Sequence, residues 1–223
     1  MTSTLTRLAI PAAAAGQAAL ALLVWKVGST SPIPMHLGLT GQVDRWGDRT
    51  EAALLLCGLA ALTLVGGWAL GWSGRKPEAD EARRRGLGWA QAVLVASTCV
   101  LAVMMTGLAT IAADSGVDSA RLALIGLCAL LTIIGSVVGK VAPNALVGVR
   151  TPWSLNSRLS WEKSNRLAGR LFFWGGLVGV LLALAVPAAL GQQIILGAVL
   201  LIAAVCVFES WRVWRADPER RVV

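Results

Sequence analysis

Six stretches of this sequence stay apolar for about 20 residues each, the length at which an α-helix covers the hydrocarbon core of a bilayer. They run over 8–27, 52–72, 87–112, 121–141, 171–190 and 192–213. A chain of 223 residues cannot hide that much apolar surface inside one water-soluble core. Composition agrees: 56% of residues are hydrophobic, 14% are charged and the mean hydropathy is +0.69. A soluble domain carries roughly 25% charge. These values exclude a soluble globular enzyme, and they exclude disorder, which needs low hydrophobicity and high charge. Period-two alternation is missing, so a membrane β-barrel is excluded too. The expected fold class is all-α, a six-span transmembrane helix bundle.

The first stretch exceeds the 7–15 apolar residues of a signal-peptide core. It ends in Trp25-Lys26, an interfacial pair, rather than at a small-residue cleavage site, and is read as a retained span. Orientation follows from the cations. With the N-terminus inside, 16 of the 20 Lys and Arg lie on the inner side, and only Lys26, Arg45, Arg49 and Arg121 lie outside. Positive residues collect in cytoplasmic loops, so N-in and C-in is expected. The same rule accounts for the net charge of +8 without a nucleic-acid partner. Trp68, Trp72, Trp89, Trp174, Trp211 and Trp214 fall near the expected inner ends, where indole rings sit at headgroup level. Cys57, Cys99, Cys128 and Cys206 lie within apolar runs without C-x-x-C spacing and read as small packing residues. Gly67/Gly71, Gly135/Gly139 and Gly175/Gly179 are candidate sites of close helix approach.

The chain divides into a two-span region, 1–75, and a four-span region, 76–223, and each holds one unusual loop. The outer loop, Ser29–Glu51, has Pro32 and Pro34 to fix extended backbone and Gly38, Gly41 and Gly47 for turns. It reads as a compact lid over the outer mouth. It also holds the single histidine, His36, with Asp44, Trp46, Asp48 and Glu51 nearby. His36 either fixes the lid by hydrogen-bonding loop backbone, or senses a ligand or proton, or joins carboxylates at a metal. With no second histidine, the metal reading is the weakest, and no metal or cofactor is expected. The inner loop spans residues 140–170. It opens with Pro143-Asn144 and a Gly148 turn, continues through Arg150-Thr151-Pro152-Trp153, and turns helical near Ser157, with Asn156 or Ser157 as N-cap. Arg158, Glu162, Arg166 and Arg170 share one stripe at i, i+4 spacing, where Glu162 can pair with Arg158 and Arg166. This is expected to be an amphipathic helix at the inner interface, lying there either as a lipid-surface anchor or as a docking platform. Arg150, Trp153 and Trp161 are the anchor types of such a platform.

Both loops carry a resemblance. Pro34, His36, Gly41, Asp44 and Gly47, with Trp46 among them, resemble the Pro-x-His motif of a bacterial membrane domain. Asn144, Gly148, Arg150, Thr151, Pro152, Trp153, Trp161, Arg166 and Gly169 resemble the signature of the SdpI immunity-protein family, in the same order and within the same six-span layout. Two positions depart from the family pattern: Ala145 stands where an aromatic is usual, and Asn165 where a histidine is usual. The resemblance implies a multi-pass protein of a bacterial cell membrane that protects the cell from a secreted, membrane-active peptide toxin. It also implies a receptor role, in which a cytosolic repressor is held at the inner face. On that basis the site residues are Pro34, His36, Gly41, Asp44, Trp46 and Gly47 outside, and Asn144, Gly148, Arg150, Thr151, Pro152, Trp153, Arg158, Trp161 and Arg166 inside. The partners are the bilayer, the toxin and the repressor.

A small-molecule or ion transporter is the alternative. Its spans would need more buried polar groups than Gln17, Lys26, Lys140 and Glu209, most of which lie near span ends. Enzyme activity and catalytic residues are not expected, because H-E-x-x-H, G-x-S-x-G and Gly-rich phosphate-loop motifs are missing.

Overall fold

The computed structural model describes residues 4–38, 40–74, 81–112, 117–141, 143 and 147–221. Helix α1 (Thr4–Val27) leads into strands β1 (Ile33–Leu37) and β2 (Val43–Gly47). Helix α2 (Arg49–Ser73) follows, then α3 (Glu81–Gly107), which continues as a π-helical turn, Leu108–Ala112. The rest comprises α4 (Ser119–Val138), the short α5 (Pro152–Leu155), α6 (Arg158–Ala185) and α7 (Ala188–Ala216). The six long helices are each long and apolar enough to cross a membrane, as the sequence predicts. Their outward leucines, such as Leu54, Leu181 and Leu201, are about two-thirds exposed. Water would penalise that surface, and lipid does not.

Capping residues set where the helices begin. Asp48 accepts from the Glu51 amide at the start of α2, and Asp118 accepts from the Ala120 and Arg121 amides at the start of α4. At the outset of α6, Ser157 accepts from the Ser160 amide. Glycines 74 and 139 close α2 and α4.

One local expectation is corrected and two features are new. First, the 29–51 loop holds an antiparallel β-hairpin, with Pro34 paired to Trp46 and Leu37 to Val43, and bulged around His36. Proline is tolerated there because the strand has a free edge. Second, the expected interfacial helix and the expected fifth span are one unbroken helix of 28 residues, α6. No proline interrupts it, and breaking backbone hydrogen bonds near lipid is costly. Its first turns keep the expected two faces: Arg158, Glu162, Lys163, Arg166 and Arg170 are exposed, while Ser160, Trp161, Ser164 and Asn165 are buried. Third, α7 begins at Ala188, so Val186 and Pro187 alone reverse the chain after α6. The Arg121 guanidinium donates to the Leu184 carbonyl at 3.1 Å, covering an acceptor that the end of α6 leaves open. The sequence also predicts a small acidic turn at 114–118, most of which lies outside the described residues.

Two groups of helices pack side by side. Helices α1, α2 and α3 enclose Val24, Ala52, Leu56, Ala102 and Leu108, and Ile33 of the hairpin joins that core. Helices α4, α6 and α7 enclose Leu124, Cys128, Ala183 and Ile195, with Val138, Ala168 and Cys206 nearer one end. Helix α3 also packs on α4 and links the groups. The most extensive helix pairing is α4 with α6. It depends on missing side chains: a Cβ on Gly135 would run into the backbone of Phe172 and Phe173, and one on Gly169 would lie 3.0 Å from the Gly135 carbonyl. All three Gly-x-x-x-Gly pairs face neighbours within the chain.

Inside the first group, Gln17, Thr63 and Thr98 form a closed polar cluster. The Gln17 amide donates to Thr98 at 3.1 Å, and Thr63 lies 2.9 Å from the Gln17 carbonyl oxygen and 2.7 Å from Thr98 Oγ1. Gln91 likewise donates across to the Gly67 carbonyl at 2.7 Å. Among the described residues, Ser97 Oγ is the one buried side-chain polar atom without a partner.

Candidate functional site

The sequence-predicted site residues gather at opposite ends of the bundle. At the hairpin end, β1 and β2 connect α1 to α2. Gly41 makes the tip with φ +80°, a conformation that favours glycine. The tip reaches the far helix group: a Cβ on Gly41 would meet Ala189 of α7, and the Gln192 side chain donates to the Gly38 carbonyl at 2.7 Å. At the base, the Ser29 amide donates to the Ala109 carbonyl in the π-helical turn at 2.8 Å. Pro34 is buried and Gly47 packs on Met35 and Glu51, whereas Trp46 projects outward. His36 Nδ1 lies 2.6 Å from Asp44 Oδ1, with both side chains more than half exposed. Its partner is thus a cross-strand carboxylate rather than loop backbone. Arg45 pairs with Glu51 beside it.

The other end is organised by Trp161. This side chain is 1% exposed and donates from Nε1 to the Val141 carbonyl at 2.9 Å. Asn165, one turn on, accepts from the Val149 amide at 2.7 Å and donates to the Trp161 carbonyl at 3.0 Å. Gly148 lies against both side chains of this arrangement with φ +126°, and a Cβ there would strike Asn165 Oδ1 and the indole. Thr151 and Ser154 form a reciprocal capping box around α5, with Pro152 in its first turn. Ser154 Oγ donates to the Val149 carbonyl at 2.6 Å. Thr151 Oγ1 lies 2.8 Å from Ser210 Oγ of α7, and Ser160 Oγ donates to the Ser210 carbonyl at 2.6 Å.

The tail after α7 closes the same network. Ser157 Oγ donates to Asp217 at 2.5 Å, and the Arg221 amide donates to the Asn156 carbonyl at 2.9 Å. The Ser157 hydroxyl, the Glu219 amide and the charge of Arg220 hold the Asp217 carboxyl below the ordinary carboxylate range, against an opposing effect of desolvation.

Of the residues assigned to this end, Gly148, Thr151, Pro152 and Trp161 thus build the clamp itself, and Trp161 is buried rather than exposed as a docking anchor would be. Arg150 is exposed and Trp153 half-buried beside it. Arg158 pairs with Glu162 at 3.0 Å, and Arg166 is exposed on the outer face of α6. Asn144, and Ala145 after it, lie outside the described residues. The serines at 154, 160, 164 and 210, together with Asp217, escaped the sequence reading. The spacing of Ser157, Ser160 and Ser164 is the available signal: a small polar stripe on one face of a membrane helix marks a helix contact.

Residues 140–210 match the SdpI/YfhL protein family model. The matched segment starts in the loop held by Trp161, includes α5 and α6, and ends at Ser210, the residue of α7 that the clamp grips. The matched segment thus contains the Trp161 network and runs the full length of α6 and along α7 to Ser210, so it includes the α6–α7 turn at the hairpin end as well. No curated protein and no solved structure matches the chain.

Proposed function

We propose that this multi-pass membrane protein is an immunity and signalling protein similar to SdpI, protecting a bacterial cell from a membrane-active peptide toxin. The observation that carries this reading is the family match on 140–210, a segment that contains the polar clamp around Trp161. With the hairpin end outside, as the Lys and Arg distribution favours, the hairpin meets the toxin and the clamp faces the cytosol. Arg150 and Trp153 are then presented to a repressor protein on a scaffold already ordered by Thr151, Ser154 and Asn165. Little flexibility is lost when such a surface binds. The polar cluster of Gln17, Thr63 and Thr98 is satisfied by its own members together with Cys99 and nearby helix carbonyls, which supports signalling over transport.

The test is survival of a heterologous bacterium challenged with membrane-active peptide toxins, with the chain expressed or absent. Expression should raise survival against at least one such toxin. Recruitment is checked by pull-down from cytosol after toxin exposure. Arg150→Ala and Trp153→Ala should each weaken capture by about 1–3 kcal/mol. Arg150→Lys should restore it only partly, because lysine keeps charge but loses the planar fork. No protection in any challenge would sink the immunity reading. No captured protein would remove the docking role.

A further inference from the structure

On the outer side of the α4–α6 contact, at the Trp161 end, lies an open groove of about 420 Å³. Its floor is formed by Gly135, Gly139 and Gly169, where the two helices touch. Its rim carries Lys140, Arg166 and Arg170. Among the described residues, none of these three cations is within ion-pair distance of a carboxylate. Glu162, the expected partner of Arg166, turns to Arg158 instead. Lys140 is held by an aromatic face, its Nζ 4.7 Å from the ring centroid of Trp89 on α3. Three cations around one groove repel one another and the cost is not offset by any acid described in the chain. An anion in the groove would offset it.

The depth profile says which anion. Along α6, Arg166, Arg170 and Trp174 follow at one-turn intervals, so the groove runs from charge to indole over about 12 Å of helix rise. Phe173 and Trp174 line the deeper part, and Trp174 is 64% exposed. Beyond them the same face continues into the exposed Leu177, Val178 and Leu181. The cationic end sits where α4 stops, at Gly139, hence at the edge of a span. A free phosphate compound would have no use for the aromatic and aliphatic continuation. A lipid would use both: phosphate among the cations, glycerol beside the indole, acyl chain along the leucines. Basic pockets between transmembrane helices hold anionic headgroups in this manner.

We propose that the Lys140–Arg166–Arg170 groove is a binding site for one anionic phospholipid, with its phosphate seated among the three cations and an acyl chain along Phe173 and Trp174. The site is independent of toxin immunity. Lipid bound there bridges α4 and α6 and neutralises the repulsion at their closest approach.

The full-length protein, purified in neutral detergent, is titrated with phosphatidylglycerol, phosphatidylcholine or inorganic phosphate and read by native mass spectrometry and thermal melting. Phosphatidylglycerol should bind at least about tenfold more tightly than phosphatidylcholine, a difference of about 1.4 kcal/mol, and should raise the melting midpoint. Inorganic phosphate should not compete at matched concentration. Arg166→Gln/Arg170→Gln should abolish the lipid preference, whereas Lys163→Gln/Arg215→Gln, which removes the same charge at the same end, should preserve it. Equal loss in both variants would reduce the effect to diffuse surface charge and overturn the proposal. Effective competition by inorganic phosphate would reassign the groove to a soluble phosphate compound and overturn it as well. The three wild-type titrations stand without any variant, so absence of a phosphatidylglycerol preference there sinks the proposal even if the variants fail to fold.

Discussion

The two ends of the bundle solve the same problem in opposite ways. Each must hold an irregular segment of chain against helices whose sides belong to lipid. The Trp161 end does it from within, by burying polar side chains that reach backbone: Asn165 and Ser154 to Val149 and Trp161 to Val141 of the loop, and Ser160 to Ser210 of α7. The hairpin end does it from its edges: the Ser29 amide bonds to Ala109 at the base, Gln192 bonds to Gly38 at the tip, and Ile33 and Pro34 are buried between. Its charged residues stay in the open as exposed pairs. Buried hydrogen bonds are lost at the full desolvation cost when one partner goes, while exposed pairs are worth little. Stability should therefore concentrate at the Trp161 end, and the hairpin should tolerate change.

The sharpest way to break that contrast is Trp161→Ala. The substitution empties the largest fully buried side-chain volume and orphans the Val141 carbonyl. A loss of about 3–5 kcal/mol is expected, measured by unfolding in mixed micelles. A loss below about 1 kcal/mol would mean that the clamp is decoration rather than core. Next comes Asn165→Ala, which leaves the Val149 amide buried without an acceptor and should cost about 1–3 kcal/mol in the same assay. Asn165→Asp should be milder than Asn165→Ala, since it keeps the acceptor that Val149 uses. If all three proteins melt together, the loop is held by something other than this bond.

A smaller effect is expected from the tail. The folded-state pKa of Asp217 lies below its unfolded value, so its contribution is complete above the ordinary carboxylate pKa of about 4 and is lost as pH falls through the lower, folded value. Amide exchange at residues 217–221 should thus stay slow near neutrality and accelerate relative to the helices only in that acid window. Asp217→Asn should raise exchange at neutral pH and flatten the dependence. Ser157→Ala removes the principal stabilising donor and should shift the acid transition upward toward the ordinary value. A tail whose exchange is insensitive to both substitutions is not tethered by this pair.

The sequence made the spans legible because lipid imposes length and hydropathy on each helix separately, with no knowledge of neighbours required. Five of the six were placed within about four residues of the structure's spans, while the fifth, read as 171–190, is Arg158–Ala185; the caps Asp48, Asp118 and Ser157 refine where their helices start. The α6 extension was not legible as such: amphipathic periodicity over 158–170 is the same for a helix lying on the interface and for one continuing straight into it. Only the partners on α4 and α7 decide that, and they are distant in sequence. The hairpin was obscured by its proline and by strands of five residues with weak alternation. At the site, residue type pointed correctly to importance but not to role. Arginine and tryptophan look alike as docking anchors in a string of letters, yet Arg150 is exposed and Trp161 buried. The serines were passed over because a hydroxyl near lipid gains meaning only when its acceptor is known. The groove at Lys140, Arg166 and Arg170 joins two helices across the matched segment, and i, i+4 spacing alone shows half of it.

The mildest prediction tests the hairpin. His36 and Asp44 face each other across β1 and β2 at 2.6 Å, but their side chains are 64% and 52% exposed. Water screens the attraction and both side chains lose freedom in making it, so an exposed pair of this kind contributes at most about 1 kcal/mol. His36→Ala and Asp44→Asn should each lower the melting midpoint by no more than about 2–4 °C, and the double variant should add almost nothing to the larger single effect. Raising the salt should shrink the difference from wild type further. That mildness makes the pair informative. If protection against toxin persists in both variants, the histidine serves only the hairpin's local geometry. If protection disappears while the midpoint and the amount of protein hold, the exposed imidazole and carboxylate act on something outside the chain. A drop as large as that of Trp161→Ala would erase the distinction between the two ends, because the hairpin would then be as deeply tied into the fold as the clamp.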